Sequence, residues 1–238
     1  MAKRVLLKLS GESFSSSQKS LSAEKLQTVA EQIINASKSG IEIALVVGGG
    51  NFLRGDSTNL KDSSNTDLLR RHTKDQMGML STVLNALALR DAFETLGKSA
   101  YIFSAIPILG IVETFNIQRA VSKLKSGNIV IFAGGTGNPF VTTDSAASLR
   151  SIEINADILL KATTVDAVYN KDPKLHKDAV PYKTLTYDQV LQQELKIMDL
   201  NAFWQCRNYG IPIRIFNVFK KDMLYKVLLG AKEGTLIS

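Results

Sequence analysis

The runs Leu6-Leu7-Lys8-Leu9, Ile43-Ala44-Leu45-Val46-Val47 and Ile129-Val130-Ile131-Phe132 show no alternation of apolar and polar residues. A strand with one face in water alternates; a strand apolar at nearly every position needs cover on both faces. Short runs of this kind recur at Arg4–Leu9, Ile41–Val47, Ser99–Phe103, Asn128–Ala133, Asp157–Lys161 and Pro212–Phe216. Longer stretches with helix punctuation lie between them. Ser22 can cap a helix that stops at Gly40, and Asn116–Ser126 stops at Gly127. Thr73-Lys74-Asp75-Gln76 and Thr186-Tyr187-Asp188-Gln189 read as capping boxes, and further helices start at Asp144 and Asp199. Strands alternating with helices specify an α/β fold, with a mainly parallel sheet covered on both faces. No composition break divides the 238 residues, so one unit is expected. Ser13–Ser22 reads as a serine-rich loop, and Asn170–Tyr187, with Pro173 and Pro181, as a long charged excursion.

Composition narrows the function. Lys and Arg number 29 against 22 Asp and Glu, a net charge of +7 that suits an anionic partner. The single cysteine, Cys206, excludes a disulfide-stapled scaffold and points to a reducing, cytoplasmic setting. Two distant histidines, His72 and His176, form no zinc constellation with it. No apolar run reaches the length of a membrane helix, and Lys8 interrupts the short apolar start before it can act as a signal peptide. The basic residues are dispersed, with no dense stretch and no aromatic-interleaved motif, so nucleic acid is not the expected partner.

In an open α/β sheet, ligands bind beyond the carboxyl ends of the strands. Three expected strands end in glycine-bearing loops: Lys8-Leu9-Ser10-Gly11, Gly48-Gly49-Gly50-Asn51-Phe52-Leu53-Arg54 and Gly134-Gly135-Thr136-Gly137-Asn138-Pro139. A single such loop is explained by a turn. Three at one sheet edge, two with a nearby cation, make a site for a multiply charged phosphate ligand. The chain has no G-x-x-x-x-G-K-[ST], no G-x-G-x-x-G after its first strand and no nucleophile elbow. What remains is lysine, arginine, glycine, hydroxyl and carboxylate, the set that phosphoryl transfer uses.

Lys8 leads, because an ammonium within an apolar strand is costly without an anion, unless it snorkels to solvent. Arg54 can fork onto a phosphate or sit on a surface loop. Asp75, Asp144 and Asp199 each stand at an expected helix start, where a carboxylate complements the dipole with or without a ligand. Met77, Met79, Leu80, Val83 and Leu84 are expected in the core, as are Phe203, Trp204 and Tyr209.

Taken together, several blocks resemble the bacterial uridylate kinases of the amino-acid-kinase superfamily. They are LLKLSGE (Leu6–Glu12), VVGGGNFLRG (Val46–Gly55), DQMGMLSTVLNALALRDA (Asp75–Ala92) and SAIP (Ser104–Pro107). GTGNPFVTTDSAASLRSIEI (Gly135–Ile154), KIMDLNAF (Lys196–Phe203) and the final EGTLIS complete the set, so that the resemblance runs from Val5 to Ile237. It implies a three-layer αβα sandwich and transfer of the ATP γ-phosphoryl group to UMP, giving UDP and ADP in pyrimidine nucleotide biosynthesis. It also implies Mg²⁺ accompanying ATP, no metal ligand from the protein, a homohexamer, and UTP as a feedback inhibitor.

By the same resemblance, a lobe of about residues 1–155 binds UMP and a lobe of about 156–238 binds ATP. Lys8, Arg54, Asp144 and Asp199 would be catalytic. Lys8, Leu9, Ser10, Gly11, Gly50, Arg54, Thr163, Tyr169 and Asp172 would contact ATP. Gly49, Asp75 and the run Thr136, Gly137, Asn138, Pro139, Phe140, Val141, Thr142 and Thr143 would contact UMP. Thr164 and Ala167 depart from the family pattern beside the ATP loop. One rival reading is a related kinase acting on a carboxylate such as acetylglutamate, which has no evident use for the Thr-Thr-Asp-Ser-Ala-Ala block. Another is a non-catalytic basic protein that binds nucleic acid.

Overall fold

The computed structural model describes residues 3–53, 68–173, 175–195 and 197–238. In chain order the elements begin with β1 (Arg4–Leu9), α1 (Ala23–Ser37), β2 (Glu42–Val47), α2 (Arg71–Thr95) and β3 (Ala100–Ser104). There follow β4 (Glu113–Thr114), α3 (Ile117–Lys125), β5 (Ile129–Ala133), α4 (Thr143–Glu153) and β6 (Ile158–Thr163). The last part holds β7 (Val168–Tyr169), β8 (Pro181–Tyr182), β9 (Thr184–Leu185), α5 (Tyr187–Gln192) and α6 (Leu200–Asn208). It ends with β10 (Ile213–Asn217), α7 (Met223–Leu228) and β11 (Thr235–Ile237).

Nine strands make one sheet, ordered β4-β3-β5-β2-β1-β6-β10-β11-β9, while β7 and β8 form a separate antiparallel ribbon. Among the described residues, the β10–β11 pair is the only antiparallel one in the main sheet. The mainly parallel α/β sandwich is therefore the one the unalternating strands called for.

Side chains alternate between faces along a strand. Val5, Leu7 and Leu9 of β1 join Ile43, Leu45 and Val47 of β2 in a core closed by α1, α2 and α7. Leu6, Ala44 and Val46 face the opposite core, closed by α3, α4, α5 and α6. The same period sends Leu160 and Ala162 of β6 to the first core and Leu159 to the second. Lys8 and Lys161 therefore share the second face with Leu6 and Leu159, turned towards α4. Each fully buried leucine contributes about 1.5–3 kcal/mol, so a cation among them needs a specific counter-charge.

The helix boundaries test the punctuation. Ser22 caps α1 by accepting the Lys25 N–H, and Thr186 and Gln189 form the reciprocal capping box of α5. The box expected at Thr73 is not formed, because α2 begins two residues earlier, at Arg71, with no side-chain cap from Arg70. Asp75 thus lies in the second turn of α2. The serine-rich loop is partly packed: Phe14 is fully buried under α1, with Ser13 and Ser15 also buried. Leu80 and Leu84 are about half exposed, at 51% and 48%, and Trp204 and Tyr209 are exposed too, contrary to the core expected of them. Met79, Val83 and Phe203 are buried as expected.

Candidate active site

The strands β5, β2, β1 and β6 are consecutive neighbours in the sheet and parallel. Their carboxyl ends deliver the Gly134–Pro139 loop, the Gly48–Gly50 loop, Ser10-Gly11 and Thr163 to one edge. Lys8, on β1, stands between the glycine-loop strand and the β6 strand. Arg54 lies outside the described residues.

Lys8 and Lys161 are register partners on adjacent strands. The Asp144 carboxylate, from the first turn of α4, binds both: Oδ1 lies 2.9 Å from Lys8 Nζ and Oδ2 lies 2.6 Å from Lys161 Nζ. All three side chains are largely buried, and Lys161 also donates to the Ile197 carbonyl. Burial by itself raises the Asp144 carboxyl pKa, but the Lys8 and Lys161 ammoniums more than offset it and hold it below the usual carboxylate value. Burial also depresses the Lys161 ammonium; Asp144 opposes this and Lys8 adds to it, with a lowered pKa as the outcome. Asp144 holds the two ammoniums side by side, with the Asp199 carboxylate also acting on Lys161, so paired cations stand in a largely dry place where an anion can meet them.

Asp199 occupies the N-cap position of α6, as expected, but its side chain makes no capping bond there. Its carboxylate instead accepts from the hydroxyls of Thr142 and Ser145, the latter at 2.9 Å, and so ties the start of α4 to α6. Thr142 caps α4 through the Asp144 N–H, as expected of a Thr-Thr-Asp helix entry.

Beside this cluster lies a cavity of about 270 Å³ whose lining includes Gly49, Gly50, Asp75, Val141, Thr142 and Thr143. The Asp75 carboxylate accepts the Phe140 N–H at 2.9 Å and pairs with Arg71 at 3.1 Å. It therefore links α2 to the arm Thr136–Thr143, where Thr136 Oγ1 accepts the Asn138 N–H at 3.2 Å. Gly49 has to be glycine, since a Cβ there would stand 2.7 Å from the Gly78 carbonyl oxygen and from Ser81 Cβ.

Thr163 closes a turn at the end of β6, accepting the Val165 N–H at 2.8 Å. Tyr169 is on β7 and Asp172 on the loop that joins β7 to β8, off the main sheet. A buried hydroxyl fastens that ribbon: Thr235 of β11 accepts the Val168 N–H at 2.9 Å and donates to the Tyr182 carbonyl at 2.5 Å.

Lys161, Ser145 and Thr235 escaped the sequence reading. For Lys161 a signal existed, because Leu159-Leu160-Lys161 repeats Leu6-Leu7-Lys8 at a second strand end. The hydroxyls give no such signal, since buried serines and threonines are unremarkable in sequence.

A parallel sandwich whose strand ends assemble paired lysines, a shared carboxylate and glycine loops beside a cavity is the build of a phosphotransferase. A model of the amino acid kinase family matches residues 3–217. The chain is 48% identical to a uridylate kinase of Coxiella burnetii over 99% of its own length and 95% of that protein's. It is equally 48% identical to one of Xanthomonas oryzae pv. oryzae, over 99% and 96% of the two chains. A UMP kinase structure from Bacillus anthracis superposes with a TM-score of 0.92 at 37% identity, covering 100% of this chain and 96% of that one. One from Ureaplasma parvum does so with a TM-score of 0.91 at 32% identity, covering 100% and 99%. The chain belongs to the amino acid kinase family, within its uridylate kinase branch.

Proposed function

We propose that this chain is a UMP kinase that moves the γ-phosphoryl group of ATP onto UMP, giving UDP and ADP for pyrimidine nucleotide synthesis. The observation that carries the reading is the Lys8–Asp144–Lys161 cluster standing between an acceptor cavity on one side and the β6 strand end on the other. The UMP phosphate is itself the nucleophile. Its second pKa lies near about 6, so at neutral pH it attacks as a dianion and needs no general base. Two anions have to be brought into line, and the enzyme's task is to hold them and neutralise their charge. Lys8 and Lys161 supply the cations. Asp144 fixes both ammoniums, and Asp199 braces the entry to α4.

The residues fall into two lobes in this reading. Gly49, Asp75, Thr136, Gly137, Asn138, Pro139, Phe140, Val141, Thr142 and Thr143, all before about residue 155, would hold UMP. Thr163, Tyr169 and Asp172, after it, would hold ATP together with Lys8, Leu9, Ser10, Gly11 and Gly50. Mg²⁺ would enter with ATP and reduce the charge on its phosphates. Asp144 and Asp199 are already engaged by lysines and hydroxyls, so the phosphates themselves would supply most of its ligands.

A homohexamer is consistent with the outward apolar pair Leu80 and Leu84, one turn apart on α2. UTP shares the base and sugar that the acceptor cavity would recognise, which supports feedback inhibition there. A cytoplasmic setting agrees with the single buried thiol of Cys206, and no helix among the described residues is long and apolar enough to cross a membrane.

A coupled assay for ADP release with ATP plus UMP, CMP, dUMP or acetylglutamate tests the assignment. Fast release with UMP alone is expected; release with acetylglutamate instead would replace it with a carboxylate kinase.

A further inference from the structure

Asp75, Gly78, Thr82 and Asn85 follow one another on α2 at intervals of three, four and three residues. That spacing places them on a single stripe of the helix. Each meets a different part of the glycine-loop edge. Asp75 holds Phe140, and Gly78 is the backbone against which Gly49 packs. Thr82 Oγ1 accepts the Gly134 N–H at 2.7 Å and donates its own hydrogen to the Met79 carbonyl at 2.7 Å.

Asn85 donates to the Gly48 carbonyl at 2.6 Å and exchanges two bonds with the Asn51 amide, at 2.7 and 2.9 Å. Asn51 donates in turn to the Ser20 carbonyl at 2.6 Å. Its Oδ1 lies 2.2 Å from where a Cβ on Gly11 would stand, so the first glycine loop is seated against the same amide.

Thr82 and Asn85 are buried, at 2% and 0% exposure, in a helix face that leucine or alanine could fill at less cost. None of the bonds from Asn85, and only one from Thr82, serves the helix itself. The rest go to loops rich in glycine, the segments with the most conformational freedom and the fewest side chains to pack. Pins from outside are what such loops need in order to present their N–H groups in one arrangement.

We propose that Thr82 and Asn85 are positioning residues that set the three glycine loops in register with one another. They make the Gly48–Gly50 loop and the Gly134–Phe140 arm one preformed cradle for the acceptor phosphate. This rests on the UMP-site reading given above. Thr82 reaches the cavity wall, but its one hydrogen is spent on the Met79 carbonyl and none is left to donate to a phosphate oxygen, so it acts through the Gly134 N–H it holds.

The test is steady-state kinetics for both substrates, with thermal denaturation, on wild type, Thr82→Val and Thr82→Ser, and on Asp75→Asn as the control for the site. Thr82→Val keeps the shape and deletes the bond to Gly134. Displacement of a preorganised loop lowers kcat/KM for UMP by at least about tenfold, with KM for ATP within about twofold, and Thr82→Ser restores most of it. If Thr82→Val fails to fold, Thr82→Ala, which creates no clash, carries the same expectation. Asn51→Ala, Asn85→Ala and their double variant are expected to lose activity non-additively, because each single change already breaks the shared amide pair.

A Thr82→Val enzyme that melts earlier yet keeps its kcat/KM for UMP overturns the proposal. If Asp75→Asn still raises KM for UMP in that case, only the positioning role falls. If Asp75→Asn is also silent, the acceptor-site reading falls with it.

Discussion

Replacing Asp144 by asparagine keeps the shape of the site and removes the carboxylate that Lys8 and Lys161 share. In the native protein this carboxylate lies 2.9 Å from Lys8 and 2.6 Å from Lys161. Opposite charges about 4 Å apart attract by about 4 kcal/mol in an environment of effective dielectric near 20. Desolvation offsets much of this, and breaking a buried pair from one side typically costs about 3–5 kcal/mol. For a chain of this size that corresponds to a fall in melting temperature of roughly 6–20 °C.

The variant also carries a pH signature. Burial and the neighbouring Lys8 both push the Lys161 ammonium towards its neutral form, and Asp144 is the main force opposing them. With a neutral amide in place of that carboxylate, Lys161 sheds its proton more readily, so activity that depends on a charged lysine recovers as pH falls. The UMP phosphate also titrates, but in kcat/KM it enters as the free ligand, which is the same for both enzymes. The quantity to measure is therefore kcat/KM for UMP of the variant divided by that of wild type, at saturating ATP, as pH is lowered. This ratio should start below about 0.01, the scale of a lost electrostatic element, and rise as pH is lowered. A ratio that stays flat or rises with pH, or a melting temperature equal to that of wild type, would refute the charge-sharing argument.

Lys8→Ala and Lys161→Ala should each lower kcat by at least about a hundredfold, the roughly 3 kcal/mol typical of one lost transition-state contact. Near-normal turnover in either would remove that lysine from the site. Asp75→Asn should raise KM for UMP while leaving KM for ATP nearly unchanged; an unaltered KM for UMP would reduce Asp75 to its bond with Phe140. Gly49→Ala forces a methyl group against the Gly78 carbonyl, and overpacking of this kind costs about 1–3 kcal/mol. Its melting temperature should fall, and a stability equal to wild type would show that α2 and the loop can move apart freely.

The parts of the fold legible in sequence are those where one physical demand dominates. β1 is observed at Arg4–Leu9, as expected, because a strand apolar on both faces has few other places to be. The capping chemistry at Ser22 and Thr186 was readable for the same reason: a side-chain oxygen three residues before a free N–H is a local arrangement. At Thr73 the local pattern was present and α2 nonetheless starts at Arg71, where the helix continues past its apparent cap. Leu80, Leu84 and Trp204 show a further limit, since helical spacing says which residues share a face but not what covers it. β4, β7, β8, β9 and β11 have two or three residues each, too few to display a period.

In the site, Lys8 could be singled out because a lone cation in an apolar strand violates a strong rule. Asp144 and Asp199 were ambiguous, as each sits where a helix start alone explains a carboxylate. Only their distances to Lys8, Lys161 and the Ser145 hydroxyl separate the two roles.

The place of β1 between β2 and β6 also bears on how the chain is made. Once β1 and β2 have left the ribosome they can pair, but the other edge of β1 waits for Ile158–Thr163. At about 5–20 residues per second, the roughly 110 residues between Val47 and Ile158 take about 6–20 s to synthesise. For that interval the nascent sheet carries an unpaired edge of Val5, Leu6 and Leu7, a segment able to pair with other chains. The charge at Lys8 sits at the end of that edge and works against such pairing until β6 arrives with Lys161 to cover it.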